Sequence, residues 1–301
     1  MSKLTNYIRK PSYFLKSLIE KRPFWIMSDK QYLKMKYRLY INKKLNLINP
    51  KTFNEKLQWL KLYDRRDIYT TMVDKSEVKE YVKNIIGEEY IIPTIGVYNS
   101  FDDIDFNELP NQFVIKCTHD SGGIVICKDK KKFDITKAKK KINKYLRRKY
   151  FYIHREWPYK NVRPRIIVEK YMSNNGCELE DYKIHNFNGN PKFILVCKDR
   201  YNENGMTEDF FDINWKHLNI KRPSHENSRE MIYKPSNLNE MLELSKKLSK
   251  DIPFVRTDFY IIDNKLYFGE MTFYPAAGFV KFVPEEWDER IGEYLTLPER
   301  K

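Results

Sequence analysis

Two acids near the end of the chain, Asp258 and Glu270, flank the short turn Asp263-Asn264-Lys265 in "FVRTDFYIIDNKLYFGEMTF". Reflection across that turn sets position 258 opposite position 270, so two carboxylates face each other on a two-stranded ribbon. The ribbon is otherwise largely apolar. Like charges buried there are costly unless something neutralises them, and a divalent cation does so. Oxygen ligands of this kind favour Mg²⁺, held together with nucleotide phosphates. A surface pair of cross-strand acids is the alternative, but the placing of Phe259, Ile261, Tyr267 and Phe273 leaves few exposed positions for it.

Lys116 is the natural counterpart. In "FVIKCTHDSGGIVICKDK" it sits within an apolar run, and the pattern predicts strands at 113–117 and 124–127 joined by the loop 118–123. A lysine beside the N–H groups of a glycine-rich loop is one way to hold phosphate. Taken alone, the loop suits an ordinary turn and the lysine a snorkelling position equally well. A third element, "VEKYM" at 168–172, is a strand that ends in an acid and an aromatic and could offer backbone groups to a purine edge. The five histidines show neither metal spacing nor a triad, although His119 and His185 stand beside these elements. The four cysteines form no CxxC and read as structural thiols in a reducing cytoplasm.

The elements that must position these groups divide into two textures. Residues 1–66 carry 17 Lys and Arg against four Asp and Glu, and read as basic amphipathic helices. That surface could lie on an anionic membrane or pack onto the body. Within it Thr52 and Glu55 form a capping pair ahead of a helix with Phe53, Leu57 and Leu60 inward. From Asp74 the pattern becomes α/β. A helix closes at Gly87, "YIIPTIGVY" reads as a strand pair broken by Pro93, and "SFDDIDFNELP" reads as a loop. A second basic run at 128–149 includes a helix near 135–150 and leads into the aromatic loop "YFYIHREWPY". Strand 165–172, a hairpin turning on "NGN" at 188–190, a polar loop over 199–235 and a helix over 238–250 precede the carboxylate ribbon.

At 301 residues, 41% apolar and 15% aromatic, the chain is globular and long enough for two packed units or one large α/β unit. No 18-residue apolar run is present, so no membrane span is expected, and the N-terminus has no signal-peptide core. The net charge of +15 suits an anionic partner.

Taken in order, "NPKTFNEKLQWLKLYDR", "VDKSEVKEYV", "FVIKCTHDSGG", "VEKYM", "EDYKIHNFNGNPKFI" and "RTDFYIIDNKLYFGEMTFYPAAGF" resemble an ATP-grasp enzyme. The resemblance is to the branch named for teichuronopeptide biosynthesis, and it covers about 49–280. It implies an α+β ATP-grasp fold of two subdomains clasping ATP, 71–164 with the glycine-rich lid and 165–301 with the Mg²⁺ site. The basic helical segment 1–70 precedes them. It further implies that Lys75 and Lys116 hold nucleotide phosphates under a lid of Ser121, Gly122 and Gly123. Glu169 would accept from the adenine amino group, with Lys170 and Tyr171 giving hinge backbone contacts. Asp181 and Lys183 fall where relatives contact ribose or terminal phosphates. Asp258 and Glu270 match the magnesium carboxylates, and Arg256 matches the arginine that steadies the transferring phosphoryl group. The sequence departs from the pattern at Thr272, where many relatives have Asn.

The resemblance implies a cytoplasmic ATP-dependent carboxylate–amine ligase that forms an amide through an acylphosphate. Its substrates would be a uronic-acid-type acidic glycan and an amine or amino acid, in capsule or exopolysaccharide biosynthesis. Charge alone, not the resemblance, suggests peripheral contact of 1–66 with an anionic surface at the inner membrane face. The competing expectation is a glycosyltransferase using a nucleotide sugar, which rests on Asp103-Ile104-Asp105 as a DxD. A non-enzymatic nucleic-acid- or membrane-binding module rests on charge alone, and no nucleic-acid partner is expected.

Overall fold

The computed structural model describes residues 16, 18–174, 179–198 and 205–300. Ser28 caps helix α1 (Asp29–Ile41), and a reciprocal Thr52–Glu55 capping box starts α2 (Phe53–Tyr63) as its sequence requires. Short α3 (Ile68–Val73) leads to α4 (Glu77–Ile86), which Gly87 ends. Then come β1 (Thr94–Tyr98), the hairpin β2 (Phe113–Cys117) and β3 (Ile124–Cys127), α5 (Ile135–Leu146), α6 (Phe151–His154) and β4 (Ile166–Lys170). β5 (Asp181–Phe187), β6 (Asn190–Lys198), β7 (Thr207–Asp212), α7 (Leu238–Leu248), β8 (Phe254–Ile262), β9 (Lys265–Thr272) and α8 (Trp287–Glu293) complete the chain.

The strands form two sheets, each with antiparallel neighbours. The smaller has the order β1-β4-β2-β3 and is backed by α5, with Ile115, Ile142 and Val168 in a core of its own. The larger has the order β7-β6-β5-β8-β9. Its core joins the sheet to α2, α4 and α7 through Phe53, Leu57, Val82, Ile194, Leu244 and Phe254.

The described part of the basic N-terminal segment packs. Tyr32, Leu33 and Tyr37 of α1 pack with Leu45, Ala277 and Phe279, and α2 enters the main core. Residues 1–15 and 17 lie outside the described residues, as does Cys177; Cys117, Cys127 and Cys197 are free, buried thiols. No helix among the described residues is long and apolar enough to cross a membrane.

Two local expectations change, and the DxD acids take a definite place in their loop. The stretch read as a strand pair around Pro93 is one strand, and Ile91 adds only an isolated bridge to Phe268. Proline lacks the N–H a ladder needs, so pairing resumes only after it. The polar stretch 199–235 contains β7, where Phe210 and Phe211 are buried although acids surround them. The DxD acids are exposed and bond locally: Asp103 accepts from the Ser100 N–H at 2.9 Å, and Asp105 from the Asn107 N–H at 2.8 Å.

Candidate active site

Three adjacent strands of the larger sheet carry one polar face. Across them, Lys183 on β5 opposes Asp258 on β8, which opposes Glu270 on β9. The next row on this face is His185, Arg256 and Thr272. The tight turn at Asp263-Asn264, both with positive φ, pairs Ile262 with Lys265. In that register Asp258 would face Gly269. A bulge between Asp258 and Phe259 brings Glu270 opposite instead. Gly269 suits the bulge because a Cβ there would stand 2.9 Å from the Tyr260 ring.

The buried Asp258 carboxylate is held from two sides. Arg256 donates to both its oxygens, from Nε to Oδ1 and Nη2 to Oδ2, each at 2.6 Å, and Lys183 Nζ reaches Oδ2 at 2.6 Å. Burial alone would raise its pKa, but Arg256 and Lys183 outweigh burial and hold it at about 2. The same Arg256 Nη2 donates to Glu270 at 2.9 Å and to the Thr272 hydroxyl at 3.1 Å. Lys183 also stands 3.4 Å from Asp181. Burial is the largest influence and works against its charge, yet Asp258 and Asp181 together with Cys197 bring its pKa up.

The opposite wall comes from the smaller sheet and α4. Lys116 on β2 and Glu169 on β4 form an ion pair at 2.5 Å. Lys79, on the first turn of α4, takes the other Glu169 oxygen and donates to the Ile92 carbonyl at 2.7 Å. Burial lowers the Lys79 pKa against the pull of Glu169. Burial also acts to raise the pKa of Glu169, and the two lysines overcome it to lower it. Lys75 donates to the Asp120 carbonyl at 2.7 Å; burial lowers its pKa, while Glu270 of the other lobe acts to raise it. Each of these lysines is therefore matched by protein oxygen here.

The glycine-rich loop is firm at its base and open at its tip. Cys117 N–H bonds the Gly123 carbonyl at 2.8 Å, Thr118 N–H bonds the Arg165 carbonyl at 2.9 Å, and His119 and Asp120 are buried. Burial lowers the pKa of His119 and raises that of Asp120, the latter against the opposing pull of Arg148. Ser121 and Gly122 are exposed, and Gly122 has φ +128°. Gly123 is needed for packing, since a Cβ there would lie 2.8 Å from Cys117 Sγ and 2.9 Å from Tyr145 Cβ.

Between the walls runs a cleft with two ends. One is apolar, with Ile92, Val114, Ile126, Met172 and Leu179 beside Lys170 and Tyr171. The Lys170 side chain is exposed and its N–H is bonded to the Pro93 carbonyl. The other end is charged and brings together Lys75, Lys79, Lys116, Asp181, Lys183 and Glu270. The cleft thus joins an apolar end to a cluster of lysines facing carboxylates. Asp258, Glu270 and Thr272 make an oxygen-only donor set that fits a hard cation. No group of three or more His, Cys, Asp or Glu among the described residues could cage one. The ion would take its remaining ligands from phosphate and water.

Lys79 escaped the sequence reading, although it stands on the first turn of the helix that follows Lys75. His185 is buried and stacked on Phe193, its Nδ1 3.0 Å from the Lys183 carbonyl. Burial drives its pKa well down.

No curated protein matches this sequence. Among solved structures, D-alanine–D-alanine ligase from Bacillus anthracis complexed with ATP is similar over 74% of this chain and 58% of its own, with 17% identity and a TM-score of 0.39. The corresponding ligase from Helicobacter pylori is similar over 82% of this chain and 69% of its own, with 17% identity and a TM-score of 0.45. The ATP-grasp ligase PsnB complexed with minimal precursor, Mg and ADP is similar over 73% and 57%, with 7% identity and a TM-score of 0.38. The chain thus spans under three fifths of the length of the Bacillus anthracis ligase. The family model described as TupA-like ATPgrasp matches residues 55–296, and the chain belongs to that family.

Proposed function

We propose that the protein is an ATP-dependent carboxylate–amine ligase. The observation that carries this reading is a cleft in which Lys75, Lys79 and Lys116 face Lys183 and Glu270 beside an apolar end, with the buried Asp258 between Lys183 and Glu270 on the sheet. The apolar end would take adenine, and the lysines would neutralise the phosphates. Asp258 and Glu270, with Thr272, would hold Mg²⁺, which supplies charge neutralisation on the phosphates when bound.

In the proposed reaction a substrate carboxylate oxygen attacks the γ-phosphorus, the bond to the β-phosphate oxygen breaks, and acylphosphate and ADP form. An amine then attacks the acyl carbon, phosphate leaves and a proton is lost, giving an amide. Arg256 would steady charge on the transferring group, a task of positioning and electrostatics. Closing the Ser121-Gly122 tip would exclude water that hydrolyses an acylphosphate. We place the acceptor among uronic-acid-type glycans and the nucleophile among amines or amino acids, in capsule or exopolysaccharide assembly on the cytoplasmic side of the membrane. Family resemblance supports that placement, and the basic N-terminal segment suits an anionic acceptor or membrane surface.

The test is ADP release from Mg-ATP with a panel of uronic acids and amines, followed by mass spectrometry. The expected product has the summed mass of acid and amine less one water. Failure of the protein to bind ATP would end the assignment; a phosphorylated acid without amide would redefine it as a kinase.

A further inference from the structure

Shortly after Thr272 the backbone enters a strained turn. Ala276 and Ala277 have φ of 44° and 55° with ψ of 35° and 24°, and Gly278 follows at φ 65°. Two consecutive alanines in the left-handed region are strained by their Cβ atoms, and such strain persists only where the surroundings impose it.

The constraint comes from α2. Lys61 Nζ donates to the Ala277 carbonyl at 2.8 Å. Gln58 Nε2 donates to the Ala277 carbonyl at 3.2 Å and the Gly278 carbonyl at 2.7 Å. The two side chains are tied to each other, Lys61 Nζ to Gln58 Oε1 at 3.0 Å. Gly278 is required by this approach, because a Cβ there would stand 2.5 Å from Gln58 Nε2. Lys61 reaches the other way too, to the His154 carbonyl at 2.9 Å. That carbonyl ends α6, shortly after Arg148, which pairs with Asp120 of the glycine-rich loop at 3.4 Å and whose carbonyl stands 3.2 Å from His119 Nε2.

We propose that Lys61, with Gln58, is a positioning residue of the active site. It fixes the strained turn 275–278 that follows β9 and ties that turn to the segment 148–159, which meets the glycine-rich loop. A fully buried ammonium is a poor device for stability alone, since an apolar side chain of equal volume would fill the space at less cost. Its burial drives the Lys61 pKa down to about 7, a perturbation typical of functional sites. The inference rests on the ligase reading for its consequence, but the turn itself can be measured without it.

The experiment compares wild type with Lys61→Met, which keeps the length of the side chain, and with Gln58→Leu. Hydrogen–deuterium exchange is read over peptides covering 273–280 and, as a control, β5–β6. Lys61→Met should exchange about tenfold faster at 273–280 with the control unchanged, while the Kd for Mg-ATP stays within about twofold. Adding Ala276→Gly, whose methyl is exposed, should slow that exchange again by about threefold or more, since glycine adopts the left-handed region freely. With any acid and amine pair that wild type turns over, kcat should fall and recover in step. Unchanged exchange at 273–280 in both single variants would overturn the proposal. So would acceleration spread over all peptides with no recovery by glycine, which would make Lys61 a core residue only. Loss of ATP binding by wild type would sink the ligase reading and leave the exchange result standing.

Discussion

Asp258 shows how one residue can be costly and necessary at once. Its carboxylate is 1% exposed and shared by Arg256 and Lys183, so its removal would leave those two buried cations with Glu270 and Asp181 as their remaining acids. Asp258→Asn should therefore lower unfolding free energy at neutral pH by about 3–5 kcal/mol, the usual loss when one partner of a buried pair goes. ADP release should fall below detection, because the same carboxylate would hold the cation. The pH dependence gives an independent check. The folded pKa of about 2 lies below the unfolded value near 3.9, so the stabilisation is full above the unfolded value. It is lost as pH falls through the folded one. Urea titrations of both proteins should show the gap between them closing as pH falls from about 4 to about 2. A gap that stays constant over that window would mean the carboxylate gains nothing from its partners.

At the scale of elements, the hairpin β2–β3 must be both clamped and open. Gly123 does the clamping, because only hydrogen fits between Cys117 and Tyr145 of α5. Gly123→Ala should push the hairpin from α5 and cost about 1–3 kcal/mol, an overpacking effect. Calorimetry should show a lower melting temperature and weaker ATP binding, whereas Ser121→Ala, at the exposed tip, should leave melting unchanged. Equal melting of the two variants would show that the loop base is not packed as described. The strands of this hairpin were legible in sequence to the residue, since β-branched residues flank an unambiguous turn. The Asp258–Glu270 pairing was legible for a subtler reason. The turn is one residue shorter than the reflection assumed, and the Gly269 bulge restores the register. Lys61 and Gln58 were not legible. Apolar periodicity marks Phe53, Leu57 and Leu60 as the inward face of α2 and assigns polar neighbours to solvent, but this helix is enclosed on a second side by the turn 275–278. β7 escaped because its pair of phenylalanines is surrounded by acids whose partners, Arg222 and His217, come from the segment after it.

For the whole molecule, composition suggested a basic N-terminal part distinct from the α/β remainder, while packing joins the two. Phe53, Leu57 and Leu60 of α2 lie in the same core as the larger sheet, and Asn54 exchanges hydrogen bonds with Val280, its Nδ2 reaching the carbonyl at 2.7 Å and its Oδ1 accepting the N–H at 3.0 Å. Burying each such apolar side chain stabilises by about 1.5–3 kcal/mol. Losing three approaches the whole stability of an ordinary domain, which is about 5–15 kcal/mol. A chain beginning at residue 67 should therefore fail to fold cooperatively, and no concentration of Mg-ATP should recover it. For the full chain, a Mg-ATP concentration 100 times its Kd should stabilise by about 2.7 kcal/mol through linkage alone. Circular dichroism melts of both proteins with and without Mg-ATP give the comparison. A cooperative, ATP-responsive transition in the shortened chain would show that the two sheets close on nucleotide without α2, and the charge of 1–66 would then have to be explained by a partner instead of by the fold.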